Sequence, residues 1–256
     1  MNSVFENEQV SIEKIQIENV PCLKIRPREE SGLLPTVIYY HGWSSNKDYQ
    51  HLKGFILSTQ GYQVIVPDAI HHGDRGILDY EDPKIADKYF YEIIIQNVEE
   101  SKGLIENIIK NHNADPDKIA VMGSSMGGFS ASGVFIRNPQ LKCLVVFNGS
   151  CAWINSAEIF RQKAGKGSLN EEEVSSLIDY DPLKNTQLLN KRPILMFHGD
   201  SDSMVSIESQ KLFYEETLPI YSENQEDFKF IEIPRLNHYI TIGMFEEAIL
   251  WLKKHL

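Results

Sequence analysis

Short apolar segments alternate along most of the chain with stretches in which apolar residues recur at helical spacing. Segments that are apolar throughout are typical of strands buried on both faces, and the spacing between them is typical of helices. The pattern therefore predicts an α/β protein with a mostly parallel, doubly wound sheet. The predicted strands are 36–42, 62–69, 118–123, 143–149, 193–200 and 228–234, and the predicted helices are 48–60, 84–111, 126–137, 206–217 and 241–255.

Two parts of the chain depart from this rhythm. Residues 9–26 alternate apolar and polar positions, which predicts an antiparallel hairpin at one edge of the sheet. Residues 150–190 contain no strand pattern, and we interpret them as a helical excursion. Open α/β sheets bind ligands outside the carboxyl ends of their strands, where such an excursion would act as a small cap. We expect one domain over residues 1–256 that includes this cap.

Composition narrows the classes of partner. The chain has 256 residues, a net charge of −11 and 42% hydrophobic residues, so it has the composition of an ordinary soluble domain. The acidic balance argues against nucleic-acid and membrane partners, which require a basic surface. Cys22, Cys143 and Cys151 have no metal-ligand spacing and favour a reducing compartment. The N-terminus lacks the pattern of a secretory signal, so we expect a cytoplasmic protein.

The clearest chemical signal is the segment Gly123-Ser124-Ser125-Met126-Gly127, which matches G-x-S-x-G. It follows a predicted strand and opens a predicted helix, the context in which this motif forms a nucleophile elbow. Of the two serines, Ser125 alone has glycine two positions away on both sides, where a side chain would collide in a sharp turn. A flexible glycine-rich turn is the alternative, because the short motif also arises by chance.

A nucleophilic serine needs a base, and the base needs an orienting acid. In this fold the chain order is serine, acid, histidine. His238 follows the last predicted strand and is the candidate base. Asp202 and Asp200 follow the preceding strand, and we favour Asp202 because Asp200 directly follows Gly199 and resembles a turn residue.

An oxyanion hole needs two backbone N–H donors. The N–H after the nucleophile, that of Met126, is the first candidate. The second is the N–H of Trp43, which follows Gly42 at the end of an early strand. The Trp43 indole is either a wall of the substrate pocket or an ordinary half-buried side chain.

Taken together, these motifs resemble the α/β-hydrolase superfamily, and within it the dienelactone-hydrolase and prolyl-oligopeptidase-like group that includes small bacterial carboxylesterases. The resemblance runs from about residue 20 to the end of the chain. It implies a fold without cofactor or metal, and it makes the fifth residue of H-G-x-x-D-x-x-V, here Asp202, the acid. The matching residues are His41-Gly42-Trp43, Gly123-Ser124-Ser125-Met126-Gly127-Gly128, His198-Gly199-Asp200-Ser201-Asp202 with Val205, and His238.

The segment His71-His72-Gly73-Asp74-Arg75 also resembles those small carboxylesterases. Adjacent histidines on one loop seldom converge on one ion, so a metal site is the weaker interpretation. We expect the loop to shape the rim of the pocket, with Arg75 in a structural ion pair. Binding of a substrate carboxylate by Arg75 is the alternative.

The expected activity is hydrolysis of a small carboxylic ester, with a short acyl chain, by a Ser-His-Asp triad. Peptidases of this group usually carry a large N-terminal propeller, and this chain has only a short edge hairpin there. Dienelactone hydrolases use cysteine where this chain has Ser125, which favours ordinary esters. The alternatives are an amidase, thioesterase or peptidase on the same residues, or a ligand-binding protein with a silent triad. The sequence leaves the substrate and the oligomeric state open.

Overall fold

Eight strands form one sheet in the computed structural model, which describes residues 4–28 and 32–256. Their order across the sheet is first, second, fourth, third, then fifth to eighth. The third to eighth strands are parallel, whereas the first two pair antiparallel with each other and the second pairs antiparallel with the fourth. The predicted mostly parallel sheet with an antiparallel edge hairpin is confirmed. The strands are β1 (Val10–Ile17), β2 (Val20–Pro27), β3 (Leu34–Tyr40), β4 (Gln63–Pro67), β5 (Ala114–Ser124), β6 (Cys143–Phe147), β7 (Ile194–Gly199) and β8 (Phe228–Ile233).

Seven α-helices lie within the described ranges, and they cover both faces of the sheet. None of them combines the length and the apolar character that crossing a bilayer requires. The helices are α1 (His51–Thr59), α2 (Pro83–Asn111), α3 (Met126–Arg137), α4 (Trp153–Lys163), α5 (Glu171–Ile178), α6 (Ile207–Thr217) and α7 (Ile242–His255).

Successive residues of the central strands face two separate cores, because side chains alternate along a strand. On β5, Val121 packs in the core with α2 and α3, whereas Met122 packs in the core with α1 and α7. Burial on both faces is the reason that these strands are apolar throughout, and each large side chain contributes about 1.5–3 kcal/mol. β5 begins at Ala114, earlier than the sequence predicted. The prediction was late because the first residues of this strand are mostly polar and lack the apolar pattern.

Segment 150–190 contains α4 and α5 and, among its residues, no strand. Trp153 anchors its start, since the ring is fully buried and its Nε1 donates to Ser132 Oγ of α3 at 3.1 Å. Asp181 closes the segment by accepting from the N–H of Ile154 at 2.9 Å. The helical excursion is therefore tied to the main body at its base, and its service as a cap stays a prediction.

Candidate active site

Ser125 occupies a strained turn between β5 and α3. Its φ of 56° and ψ of −126° are unusual for a residue with a side chain. Such a conformation costs on the order of 1–3 kcal/mol, so the surroundings must impose it. They do so through the Ser125 N–H, which donates to the Phe147 carbonyl at 2.9 Å, and the Ser125 carbonyl, which accepts from Gly128 at 2.8 Å.

The two flanking glycines allow the turn to be this sharp. A side chain on Gly123 would run into the backbone of Gly127, and one on Gly127 would run into the carbonyl of Tyr40. Ser124 is held differently, because its hydroxyl accepts a hydrogen bond from the buried Tyr39 hydroxyl at 3.1 Å. The two adjacent serines therefore have different environments, and Ser125 is the one on the strained turn.

The Asp202 carboxylate is fully buried on the loop after β7 and bound to His238. His238 Nδ1 lies 2.6 Å from Asp202 Oδ2, and Asp202 Oδ1 accepts from the N–H groups of Met204 and Val205, each at 2.9 Å. Burial by itself raises the pKa of Asp202, but hydrogen bonds from His198, His238 and Val205 hold it well below its usual range. The carboxyl group is therefore ionised at neutral pH and can hold a proton on His238 Nδ1.

Asp200, the rejected alternative for the acid, has a different environment. Its Oδ1 accepts from the Ser201 hydroxyl at 2.7 Å and from the Arg235 N–H at 2.6 Å. These contacts hold the loop after β7 against the loop after β8. Asp200 makes no hydrogen bond with His238 among the described residues.

Further contacts join the loop of the acid to the loop of the histidine. The Ser201 N–H donates to the Leu236 carbonyl at 3.1 Å, and Asn237 Oδ1 accepts from the Ser203 N–H at 2.9 Å. The same Asn237 oxygen accepts from the His238 N–H at 2.8 Å. Gly199 permits this approach, because a side chain there would run into the Leu236 carbonyl.

Asn148 connects this pair of loops to the end of the strand that supports Ser125. Its amide Nδ2 donates to the Tyr239 carbonyl at 2.8 Å, and its Oδ1 accepts from the Gly199 N–H at 3.1 Å. Asn148 directly follows Phe147, whose carbonyl holds the Ser125 N–H. One buried amide therefore links β6, β7 and the loop that carries His238.

The loop after β3 packs against the serine turn. A Cβ on Gly42 would lie 3.3 Å from Ser125 Cβ and 3.8 Å from Ser125 Oγ, so the Gly42–Trp43 backbone passes beside the hydroxyl. No hydrogen bond of the described residues uses the N–H of Trp43 or of Met126. Met126 is the first residue of α3, where N–H groups lack partners within the helix.

His41 holds the Gly42–Trp43 peptide in place. Its Nε2 accepts from the Ala69 N–H at 3.1 Å, so Nδ1 carries the hydrogen and donates to the Gly42 carbonyl at 2.9 Å. Because the carbonyl and the N–H of one trans peptide point in opposite directions, this bond also orients the Trp43 N–H. Burial lowers the pKa of His41 to about 4, which keeps the ring neutral at physiological pH.

The Trp43 indole belongs to an aromatic cluster beside this loop. Its Nε1 donates to the Tyr80 carbonyl at 3.1 Å, and its ring lies 5.4 Å from Tyr80 and 6.1 Å from Phe90 between centroids. Phe90 in turn lies 5.8 Å from Phe160 of α4. The cluster thus joins the loop after β3, the start of α2 and the segment predicted to form a cap.

The charged residues of the loop at 71–75 form ion pairs within the protein. Lys47 Nζ lies 2.6 Å from both Asp74 and the buried Asp68, and Arg75 contacts Glu100 through two nitrogens at 2.6 and 2.8 Å. The expected ion pair of Arg75 is therefore present, and the guanidinium is not free to bind a substrate carboxylate. Over residues 4–28 and 32–256, no three His, Cys, Asp or Glu side chains are grouped as metal ligands.

The structure brings Asp202 to His238 and places Ser125, Met126 and Trp43 together on the same edge of the sheet. No hydrogen bond joins Ser125 to His238 within the described residues. Asn148, Asn237 and His198 were not among the residues that the sequence predicts to have a role. Of these, His198 had a signal, since it opens the H-G-x-x-D-x-x-V pattern, whereas the asparagines had none.

Comparison with known proteins places the chain in a family. A model described as the prolyl oligopeptidase family matches residues 96–256, which is more than half of the chain. The chain belongs to the prolyl oligopeptidase family. The matched region begins within α2 and includes Ser125, Asp202 and His238.

Individual relatives of this prolyl oligopeptidase family member match over nearly their whole length. YitV of Bacillus subtilis, provisionally named an esterase, is 28% identical over 96% of this chain and 100% of its own. The esterase YjfP of Escherichia coli is 27% identical over the same shares. A solved Thermus thermophilus protein, TT1662, matches with a TM-score of 0.77 and 18% identity over 96% of this chain and 97% of its own. The predicted α/β-hydrolase fold is confirmed.

Proposed function

We propose that this protein is a serine esterase that hydrolyses small, uncharged carboxylic esters with short acyl chains. The observation that carries the proposal is the hydrogen bond of 2.6 Å between His238 and the buried Asp202 carboxylate, on the same sheet edge as the strained Ser125 turn. A serine hydroxyl, a carboxylate and an imidazole, in that order along the chain, are the components of acyl transfer in this fold.

In this mechanism Ser125 Oγ attacks the ester carbonyl carbon while His238 Nε2 takes the hydroxyl proton. Asp202 keeps the other ring proton on Nδ1, so that Nε2 has a free lone pair before the attack. After the attack, the ionised carboxylate stabilises the imidazolium that has formed. The low pKa of Asp202 favours this role, because the carboxyl group stays ionised throughout.

As negative charge develops on the carbonyl oxygen, this oxygen is proposed to accept hydrogen bonds from the N–H groups of Trp43 and Met126. Met126 directly follows Ser125 in the sequence, the Gly42–Trp43 backbone passes beside the Ser125 hydroxyl, and His41 fixes the direction of the Trp43 N–H. The N-terminus of α3 adds its positive end at the same place. Loss of one such donor typically raises the barrier by about 3 kcal/mol.

The cycle closes without any group from outside the protein except water. His238 returns its proton to the ester oxygen, the bond from that oxygen to the carbonyl carbon breaks, and the alcohol leaves an acyl group on Ser125. Water then attacks the acyl carbon, His238 takes one proton from it, and Ser125 Oγ leaves with that proton. The products are a carboxylic acid and the free hydroxyl of Ser125.

Esters are favoured over amides and peptides because YjfP is named an esterase and matches almost the whole chain. An uncharged substrate is favoured because Lys47 and Arg75, the cations that follow β3 and β4 at this edge of the sheet, are already paired with carboxylates. The rings of Trp43, Tyr80 and Phe90 offer apolar surface instead. An amidase, thioesterase or peptidase would use the same three residues and differ only in the pocket.

Labelling with a fluorophosphonate probe tests the proposal, because such probes react with activated serine hydroxyls. We expect one adduct, mapped by mass spectrometry to Ser125, in the wild-type protein. Ser125→Ala and His238→Ala should abolish it, whereas Ser124→Ala should keep it, since that hydroxyl is bonded to Tyr39. Rates on matched ester, thioester and amide substrates then separate the rival reactions.

The competing interpretation is a ligand-binding protein whose triad is silent. It predicts no adduct on a protein that circular dichroism shows to be folded. An adduct on Ser124 instead of Ser125 would also contradict the proposed mechanism.

A further inference from the structure

A second histidine contacts the carboxylate that binds His238. His198, near the end of β7, is completely buried, and its Nε2 lies 3.2 Å from Asp202 Oδ2 and 3.0 Å from the Val205 carbonyl oxygen. The same Oδ2 accepts from His238 Nδ1 at 2.6 Å. One carboxylate oxygen therefore lies between two imidazole rings.

The partners of His198 fix the position of its hydrogen. A carbonyl oxygen and an ionised carboxylate can only accept, so Nε2 of His198 must carry a hydrogen and donate it between them. Its Nδ1 is buried and has no partner among the described residues. The ring is thus oriented by Nε2, whose hydrogen lies between the Val205 carbonyl and Asp202 Oδ2.

With this contact, both oxygens of Asp202 are held from two sides. Oδ1 accepts from the N–H groups of Met204 and Val205, while Oδ2 accepts from His238 Nδ1 and lies 3.2 Å from His198 Nε2. A carboxylate held in this way cannot rotate without losing several bonds in a site closed to water. Val205 contributes twice, since its N–H holds Oδ1 and its carbonyl accepts from His198.

We infer that His198 is a positioning residue that fixes Asp202 Oδ2 towards His238 and sets how strongly that oxygen attracts the imidazolium. The inference rests on the proposed function and adds a fourth side chain to the proposed triad. A donor to Oδ2 withdraws part of its negative charge, so His198 weakens the attraction between Asp202 and protonated His238. His198 thereby acts both on the orientation of Asp202 and on its attraction for protonated His238.

Other charged groups near this arrangement are engaged elsewhere. Glu232 lies beside His198 in the register of β7 and β8, but its carboxylate pairs with Lys211 at 3.1 Å. Asp200 accepts from the Arg235 N–H and the Ser201 hydroxyl. Within residues 4–28 and 32–256, the titratable groups in direct contact with Asp202 are the two histidines.

Two variants of similar size separate positioning from simple core packing. His198→Gln keeps an N–H donor at the reach of Nε2, whereas His198→Met fills the site without a donor. With p-nitrophenyl acetate, the acid limb of the kcat/KM profile reports protonation of the catalytic base. We expect this limb to move to higher pH by about one unit in His198→Met, since Oδ2 regains its charge. We also expect kcat to fall about tenfold as the carboxylate loses its orientation.

His198→Gln should keep the wild-type profile and most of kcat. Equal behaviour of the two variants, with the acid limb unmoved in both, would overturn the inference and leave His198 as a packing residue. Proton NMR gives a readout that needs no turnover, through the downfield signal of the His238 Nδ1–H in the Ser125→Ala background. A signal that moves in His198→Met and not in His198→Gln supports the positioning role, even if the wild-type protein hydrolyses no ester. Absence of turnover and of probe labelling in the wild-type protein contradicts only the proposed function.

Discussion

The serine turn and the Asp202–His238 pair are two halves of one candidate site, and they are held by different means. Backbone geometry holds the serine turn, through the strain at Ser125 and the absence of side chains at Gly123 and Gly127. Side-chain hydrogen bonds between separate loops hold the acid and the base. A local motif can therefore specify a candidate nucleophile, whereas a charge pair needs partners that are distant in sequence.

Asp202→Asn breaks the charge pair and should have the largest effect on rate. An amide favours the wrong ring tautomer of His238 and does not stabilise the imidazolium, so we expect kcat to fall by about 10⁴. Steady-state kinetics measures the change. Asp200→Asn, on the same loop, is the matched control and should stay within about tenfold of the wild type. A larger loss in Asp200→Asn than in Asp202→Asn would contradict the assignment of the acid.

Gly127→Ala breaks the other half of the site through its backbone. The new methyl group would run into the Tyr40 carbonyl, which belongs to a central strand and cannot move aside. We expect the free energy of unfolding to fall by about 3 kcal/mol or more, as measured by urea denaturation. Gly167→Ala is the control, because the space around Gly167 is open. A change below about 0.5 kcal/mol in both variants would show that the turn tolerates a side chain.

His41, on the loop beside the serine turn, and Asp202, in the acid–base pair, should lose their contributions to stability in different pH ranges. His41 has a pKa of about 4 when folded and an ordinary value of 6.5, so between these values the unfolded chain binds a proton that the folded protein does not. Stability therefore falls as the pH drops from 6.5 to 4, by about 3 kcal/mol from this residue. The depressed pKa of Asp202 contributes stability that is lost at lower pH, below about 4, as the carboxylate takes up a proton.

Urea denaturation at a series of pH values measures both ranges. His41→Gln does not titrate and should flatten the decline between pH 6.5 and 4 while keeping the loss at lower pH. An unchanged slope in this variant would rule out His41 as the source.

The smallest expected effect concerns Asn237, which joins the loops of the acid and the base from an exposed position. Asn237→Ala removes the acceptor of the Ser203 and His238 N–H groups, and we expect kcat to fall about threefold to tenfold, with about 1 kcal/mol of stability lost. Asn237→Asp keeps the acceptor oxygen and should restore kcat to within about twofold of the wild type. Kinetics on both variants makes the comparison, and failure of the aspartate to restore activity would show that the oxygen is not what matters.

Local rules succeeded where the signal lay within a few residues. The limits of α3 match the prediction because the helix opens at the glycine turn and ends at Asn138-Pro139. β5 was predicted too short, because its polar start at Ala114 pairs with Leu34, a partner that lies far away in sequence. The same reason hid the role of Asn148, whose two hydrogen bonds reach β7 and the loop after β8.

Local pattern is enough to predict the succession of strands and helices, the edge hairpin and the position of the serine turn, because each depends on periodicity or on glycine within a few residues. The joining of the loops after β7 and β8, the Arg75–Glu100 ion pair and the contact of His198 with Asp202 arise only when the chain has folded. The first two of these features join residues that are far apart along the chain. Hydrophobic periodicity is a property of a single segment, whereas a hydrogen bond in a closed site depends on which segments the sheet brings side by side.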